Sequence, residues 1–261
     1  MQENPQGGLA LDFALPSVST LGELMSRALR VYRDNFKAIF TILFIVFVPL
    51  DLLEQYYAAS LGPSTRIHPQ QLFVLMLFKG LFGSLTVPAI VYVIIHRYRT
   101  DASTTLGSAF RWGVRQWPRV FFNRLLAGIL ILGGLFFFIV PGIVLAVSLV
   151  FTDMVVTIEG DRQDHVLTRS WNLSGGKRWF LFSAWLAGEL LILSSSLFLA
   201  VLVQPLHNWI AAAGADFMSY LVAQIWTVMV LVLYLSFTGL ERSREAALLE
   251  EAKHWPGSEG D

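Results

Sequence analysis

Three ionisable residues sit inside long apolar runs: Lys79 in LMLFKGLFGSL, Asp153 in LVFTDMVVTI and Glu189 in WLAGELLIL. A charged group is costly in hydrocarbon, so one found there carries a proton, meets a polar substrate or answers an opposite charge. Glu189 falls about 15 Å along its run, near the midplane of a bilayer. One reading makes Lys79 its counter-charge, with Ser194, Ser195 and Ser196 lining a polar route that also passes Asp153. The structural reading is that these groups satisfy one another, or that Glu189 is protonated and hydrogen-bonded between helices. Asp51 and Glu54 follow Pro49 and read as the solvated end of a helix.

A second set is basic and aromatic. Arg30 and Arg33, then Arg111, Arg115 and Arg119, then Lys177 and Arg178 stand beside Trp117 and Trp179. Arginine and lysine near an anionic membrane surface each contribute about 1 kcal/mol of attraction, and tryptophan settles at headgroup depth. These residues are candidate contacts for lipid headgroups. Orientation of the chain in the membrane explains the same pattern without specific recognition.

Other chemistries find little support. The chain has no cysteine, which removes thiolate ligands, thiol nucleophiles and disulfides. His68, His96, His165, His207 and His254 lack ligand spacing, and no HExxH or GxSxG motif occurs. Ser174-Gly175-Gly176-Lys177-Arg178 looks like a phosphate loop, but Trp171 and Arg178 stand where that loop needs glycine and Ser or Thr. No catalytic, cofactor-binding or metal-ligating residue is assigned.

The elements that position these residues are membrane helices. The composition is 55% hydrophobic and only 15% charged, outside the range of soluble domains. Six apolar stretches approach bilayer-spanning length: Phe36 to Leu53, Leu72 to Ile95, Phe121 to Val140, Gly142 to Ile158, Trp179 to Val203 and Phe217 to Leu240. Threaded alternately, they place all of the 19 Lys and Arg on one face except Arg66 and Lys79. The positive-inside rule then predicts six membrane helices with both termini cytoplasmic. The third and fourth stretches are nearly continuous; as one helix, Phe121 to Glu159 would run roughly 58 Å, about twice the hydrocarbon core. Pro141-Gly142 is the expected turn. Residues 1–19 form a polar segment without the apolar core of a cleavable signal, 20–240 the membrane domain, and 241–261 a polar tail.

Each odd-numbered span follows a similar cassette: LMSRALRVYRDNFKAIF, GSAFRWGVRQWPRVFF and LTRSWNLSGGKRWFLF. Arg27, Arg30 and Arg33 recur every three residues, and Arg111, Arg115 and Arg119 every four, giving basic helical stripes opposite apolar positions. The expected fold is all-α: six transmembrane helices as three hairpins, an internal repeat, each hairpin led by an amphipathic helix on the cytoplasmic interface.

The stretch FIVPGIVLAVSLVFTDMVVTIEG with HVLTRSWNLSGGKRWFLF resembles the membrane domain that accompanies some bacterial glycerophosphoryl diester phosphodiesterases, and its stand-alone relatives. The resemblance rests on Pro141-Gly142, Val155 to Gly160 ending in Glu159-Gly160, Arg169-Ser170-Trp171 and Gly176-Lys177-Arg178-Trp179, with LMSRALRVYRDNFKAIF similar to that family's opening, and together these cover most of residues 20 to 240. In that family hydrolysis belongs to a separate soluble domain with its own catalytic residues, for which this sequence has no counterpart. The resemblance therefore implies a non-enzymatic role: binding or organising lipid, or supporting an enzyme that acts on lipid phosphodiesters. The partners would be membrane lipids and a membrane or cytoplasmic protein, and not nucleic acid. The alternative is a small transporter with a route past Lys79, Asp153 and Glu189.

Overall fold

A computed structural model describes residues 16–60, 69–100, 105–160, 166–206 and 208–253. Arg66, Arg162, most of the polar N-terminal segment, the loop 61–68 and the tail from 254 lie outside the described residues. All regular structure among the described residues is helical, and six helical segments are long and apolar enough to cross a membrane: Phe36–Tyr56, Leu77–Tyr98, Leu106–Phe137, Ile139–Glu159, Arg178–Leu206 and Trp209–Glu241. This is the make-up of a multi-pass membrane protein.

The three cassettes take three forms. The first is a separate helix, α1 (Leu21–Asp34), which buries Leu24, Ala28 and Val31 and leaves Arg30 and Arg33 exposed. Asn35 ends it: its backbone N–H reaches Val31 O and its side-chain Nδ2 donates to the same carbonyl at 2.8 Å. Helix α2 (Phe36–Ser60) begins one residue later, and α3 (Pro69–Thr100) packs antiparallel to it. The second cassette forms no helix of its own, because α4 (Leu106–Phe137) runs unbroken through Pro118 into the third span. It buries Ala109, Trp112, Gly113, Gln116, Val120 and Ala127, one face at helical spacing, against α3 and the fourth span. The third cassette is α7 (Val166–Ser174), which stops where Gly176 takes φ +72°, a left-handed conformation that favours glycine.

The turn between the third and fourth spans differs from the expected Pro141-Gly142. The chain reverses at Phe138, an extended residue between α4 and α5 (Ile139–Ser148). Pro141 lies in the first turn of α5, where a missing N–H leaves no hydrogen bond unmade. Gly142 serves close approach instead: a Cβ there would stand 2.6 Å from the backbone nitrogen of Leu135.

The fourth span is also not one helix. After α5 come a turn at 149–151, a short helix α6 (Thr152–Met154) and a π-helical turn Val155–Glu159 that ends at Gly160. The Ser170 hydroxyl spans this break, donating to Ser148 O at 2.9 Å and accepting from Phe151 N at 3.2 Å. It thereby satisfies backbone groups that the interrupted ladder leaves open. Helix α8 (Arg178–Val203) follows, burying only Leu181, Ala184 and Gly188. Helix α9 (Trp209–Lys253) packs on α1, α2 and α8, and its residues 228–239 are buried all round. An all-round apolar helix belongs in a core, which is what that run of Val, Leu, Met, Tyr and Phe dictates.

Candidate functional site

Lys79 on α3 meets Asp51 and Glu54 on α2, not Glu189. Its Nζ lies 3.1 Å from Asp51 Oδ1, and it pairs also with Glu54. Asp51 is 1% exposed, so the pair read from sequence as a solvated helix end is instead a buried counter-charge. Lys79 is thus the cation that answers the buried Asp51 carboxylate. On the neighbouring α9, Asp216 accepts from Gln55 Nε2 at 2.9 Å, and the Tyr220 ring, stacked on Phe47 at 4.1 Å, lies 5.6 Å from Lys79 Nζ. A signal for this cluster was present in the sequence. Asp51 and Glu54 share a helix face at i, i+3, and an antiparallel partner brings Lys79, about as far beyond the connecting loop, to their level.

The other two intramembrane candidates lie elsewhere. Asp153 pairs with Arg124 of α4. Glu189 is exposed on α8 among Leu186, Leu190 and Leu193, and no ion pair or hydrogen bond reaches it among the described residues. The hydroxyls of Ser194 and Ser195 donate to Leu191 O and Ile192 O of their own helix. Lys79, Asp153 and Glu189 therefore do not form one route.

A second ionic cluster stands at the other end of α9, and sequence reasoning did not assign it. Arg169 of α7 donates through Nη1 and Nη2 to the two oxygens of Glu241, at 2.8 and 2.7 Å, and through Nε to Glu159 at 3.2 and 3.3 Å. The Tyr234 hydroxyl donates to Glu159 as well. The hydrogen bonds to Glu241 raise the pKa of Arg169 above the ordinary arginine value, against the lowering effect of burial. One fork-shaped cation thus ties the end of the fourth span to the end of the sixth.

The basic and aromatic candidates divide into packed and exposed. Trp117 Nε1 donates to Leu81 O at 2.6 Å and its ring stacks on Phe82, so it serves the α3–α4 contact. Lys177 Nζ stands 3.7 Å from the Phe237 ring centroid, and the Arg178 guanidinium 4.2 Å from that of Trp171. Arg111, Arg115 and Arg119 are exposed along α4, while Trp179 is 86% exposed. Beside Trp179 lies a groove of about 300 Å³ between α5 and α8, lined by Val140, Ile143, Val144, Val147, Arg178, Trp179 and Phe182. The Arg178 Nε beside it is buried and has no hydrogen-bond partner.

Compared with protein-family models, curated proteins and solved structures, the chain matches none. What the arrangement can do must be read from its own chemistry. The two ionic clusters join helices. The groove joins an apolar wall to the Arg178 side chain, which suits an amphiphile: an acyl chain on the wall and an anionic oxygen near the guanidinium.

Proposed function

We propose that this chain is a non-enzymatic protein of the bacterial inner membrane, with both termini cytoplasmic, that binds or organises lipid or supports an enzyme acting on lipid phosphodiesters. Its three helical hairpins would then stand with α1, the start of α4 and α7 at the cytoplasmic interface as variants of one repeated element. The groove between α5 and α8 carries the reading, because its lining sets the apolar side chains of Val140, Ile143, Val144 and Val147 beside the cationic Arg178. Exposed Arg30, Arg33, Arg111, Arg115 and Arg119 would add a diffuse attraction for anionic headgroups. The test is native mass spectrometry of gently released protein. Retention of a stoichiometric anionic lipid that is lost in Arg178→Gln supports the proposal; bare protein, or bulk lipid unchanged by the substitution, counts against it.

A second reading, a small transporter, attaches to the cluster around Lys79 rather than to the route through Glu189. A cavity of about 440 Å³, lined by Gln204, Asn208, Trp209 and Asp216 among others, opens beside it between α8 and α9. It gives polar solutes access to Asp216, which is hydrogen-bonded to Gln55. Lipid retention indifferent to Arg178 would move weight to this reading.

A further inference from the structure

We infer that the hairpin made by α4 and α5 does not cross the membrane but turns back inside it, its tip seated among the acyl chains of the leaflet on the basic face. The inference rests on the membrane placement proposed above. Near its C-terminus α5 is fixed at a charged level: Ser148 O accepts from the Ser170 hydroxyl, and Ser170 adjoins Arg169, the centre of the cluster with Glu159 and Glu241. The ten residues of α5 reach only about 15 Å from that anchor, half of the ~30 Å hydrocarbon core. Along α4, the ion pair of Arg124 with Asp153 stands about 20 Å below the turn. Moreover, Val140 at the tip lines the same groove as Arg178 and Trp179, the first residues of α8, while α8 continues far beyond.

The tip's chemistry agrees. No polar side chain occurs from Leu125 to Val147, and Phe136, Phe137, Phe138, Ile139 and Val140 are 70 to 86% exposed. Such a tip in water would leave a large apolar surface uncovered, while acyl chains cover it at no such cost. The connections after α2 and α8 carry polar residues, in LGPSTRIH and QPLHN. Charge distribution cannot distinguish the alternatives, because a hairpin that crosses and one that turns back both return to the same face. Helical legs leave no unpaired backbone in lipid except at the turn, where Phe138 N–H bonds to Gly134 O at 2.9 Å.

The chain lacks cysteine, so single cysteines can be placed at Phe138, at Asn172 on the basic side and at Asn208 in the α8–α9 connection. Sealed vesicles of both orientations are treated with a membrane-impermeant maleimide, then dissolved in SDS and treated again. We expect Phe138→Cys to resist labelling from either side and to react after SDS, while the two controls label from opposite faces. Labelling of Phe138→Cys from the Asn208 face means a crossing hairpin, labelling from the Asn172 face means a tip outside the bilayer, and either result overturns the inference. A nitroxide on Phe138→Cys, read by oxygen against a polar nickel reagent, gives depth independently: a position near the midplane supports it, and one at the far headgroups overturns it. Controls that label from the same face would instead refute the proposed orientation, and lipid retention remains a separate readout.

Discussion

The two ionic clusters on α9 are built differently. At its C-terminal end one arginine answers two carboxylates, Glu159 and Glu241, with five hydrogen bonds converging on them from Arg169 and Tyr234. Nearer its N-terminus one lysine faces Asp51 and Glu54, with Asp216 close by, and Asp51 is almost wholly buried. The first cluster has the geometry of a clasp: a planar fork, bidentate contact, and links between segments far apart in sequence. The second has an excess of negative charge, answered by a point charge rather than a planar fork.

Breaking the clasp has the largest expected effect. Arg169→Leu leaves Glu159 and Glu241 without their cation; loss of one partner from a fully buried pair costs about 3–5 kcal/mol, and the partial exposure of this cluster places the expected loss at or below the lower end of that range. The variant should unfold at markedly lower temperature in detergent. Arg169→Lys should recover only part of this, since a point charge cannot make the bidentate contact. Equal stability of Arg169→Lys and the parent chain would show that geometry contributes little and remove the basis of the contrast.

The cluster around Lys79 should respond in a sign-dependent way. Lys79→Met exposes three carboxylates to one another and should destabilise, by about 3 kcal/mol or less, because the group is partly exposed. Asp51→Asn removes a buried charge from a cluster already too negative, so it should be near neutral, whereas Glu241→Gln in the clasp should be clearly harmful. Thermal stability of the three variants side by side decides it: Asp51→Asn as damaging as Glu241→Gln would make the clusters equivalent.

Much of this fold was legible from local chemistry. Apolar length and the placement of arginine are read residue by residue, and the six apolar helices overlap the six stretches named from sequence. The turn at Phe138 was missed because Pro-Gly is also a good helix start packed tightly against a neighbour, and only the facing Leu135 reveals which role applies. The break after Ser148 has no signal within its own run; it depends on the hydroxyl of Ser170, 22 residues away. Pairing of Lys79 with Asp51 needed the register of the hairpin, while Glu189 was given a role on depth alone and its direction of exposure was not in the pattern. Arg169 was visible as a motif residue but its partners span from Glu159 to Glu241.

The smallest expected effect concerns α1, where a third, solvent-exposed charge group extends the contrast to its limit. Glu23 sits in the first turn of α1, accepts from Ser19 N at 3.1 Å and pairs with Arg27, while Thr20 Oγ1 accepts from Glu23 N at 3.3 Å. This is a capping arrangement. The hydrogen bond from Ser19 N, more than the charge of Arg27, holds the Glu23 carboxyl below its ordinary pKa. A carboxylate depressed in the folded state stabilises above its unfolded pKa, and the contribution is lost as pH falls through the folded value. Protection from hydrogen exchange at the first turn of α1, taken relative to the intrinsic rate at each pH, should therefore fall as the Glu23 carboxyl is protonated in acid, while Glu23→Gln should show the reduced protection at neutral pH and little change with pH. Because the cap rests on a single ion pair while the clasp is bidentate and carries several converging hydrogen bonds, salt should weaken the cap more than the Arg169 clasp; a clasp as salt-sensitive as the cap would mean that its hydrogen-bond geometry does not protect it.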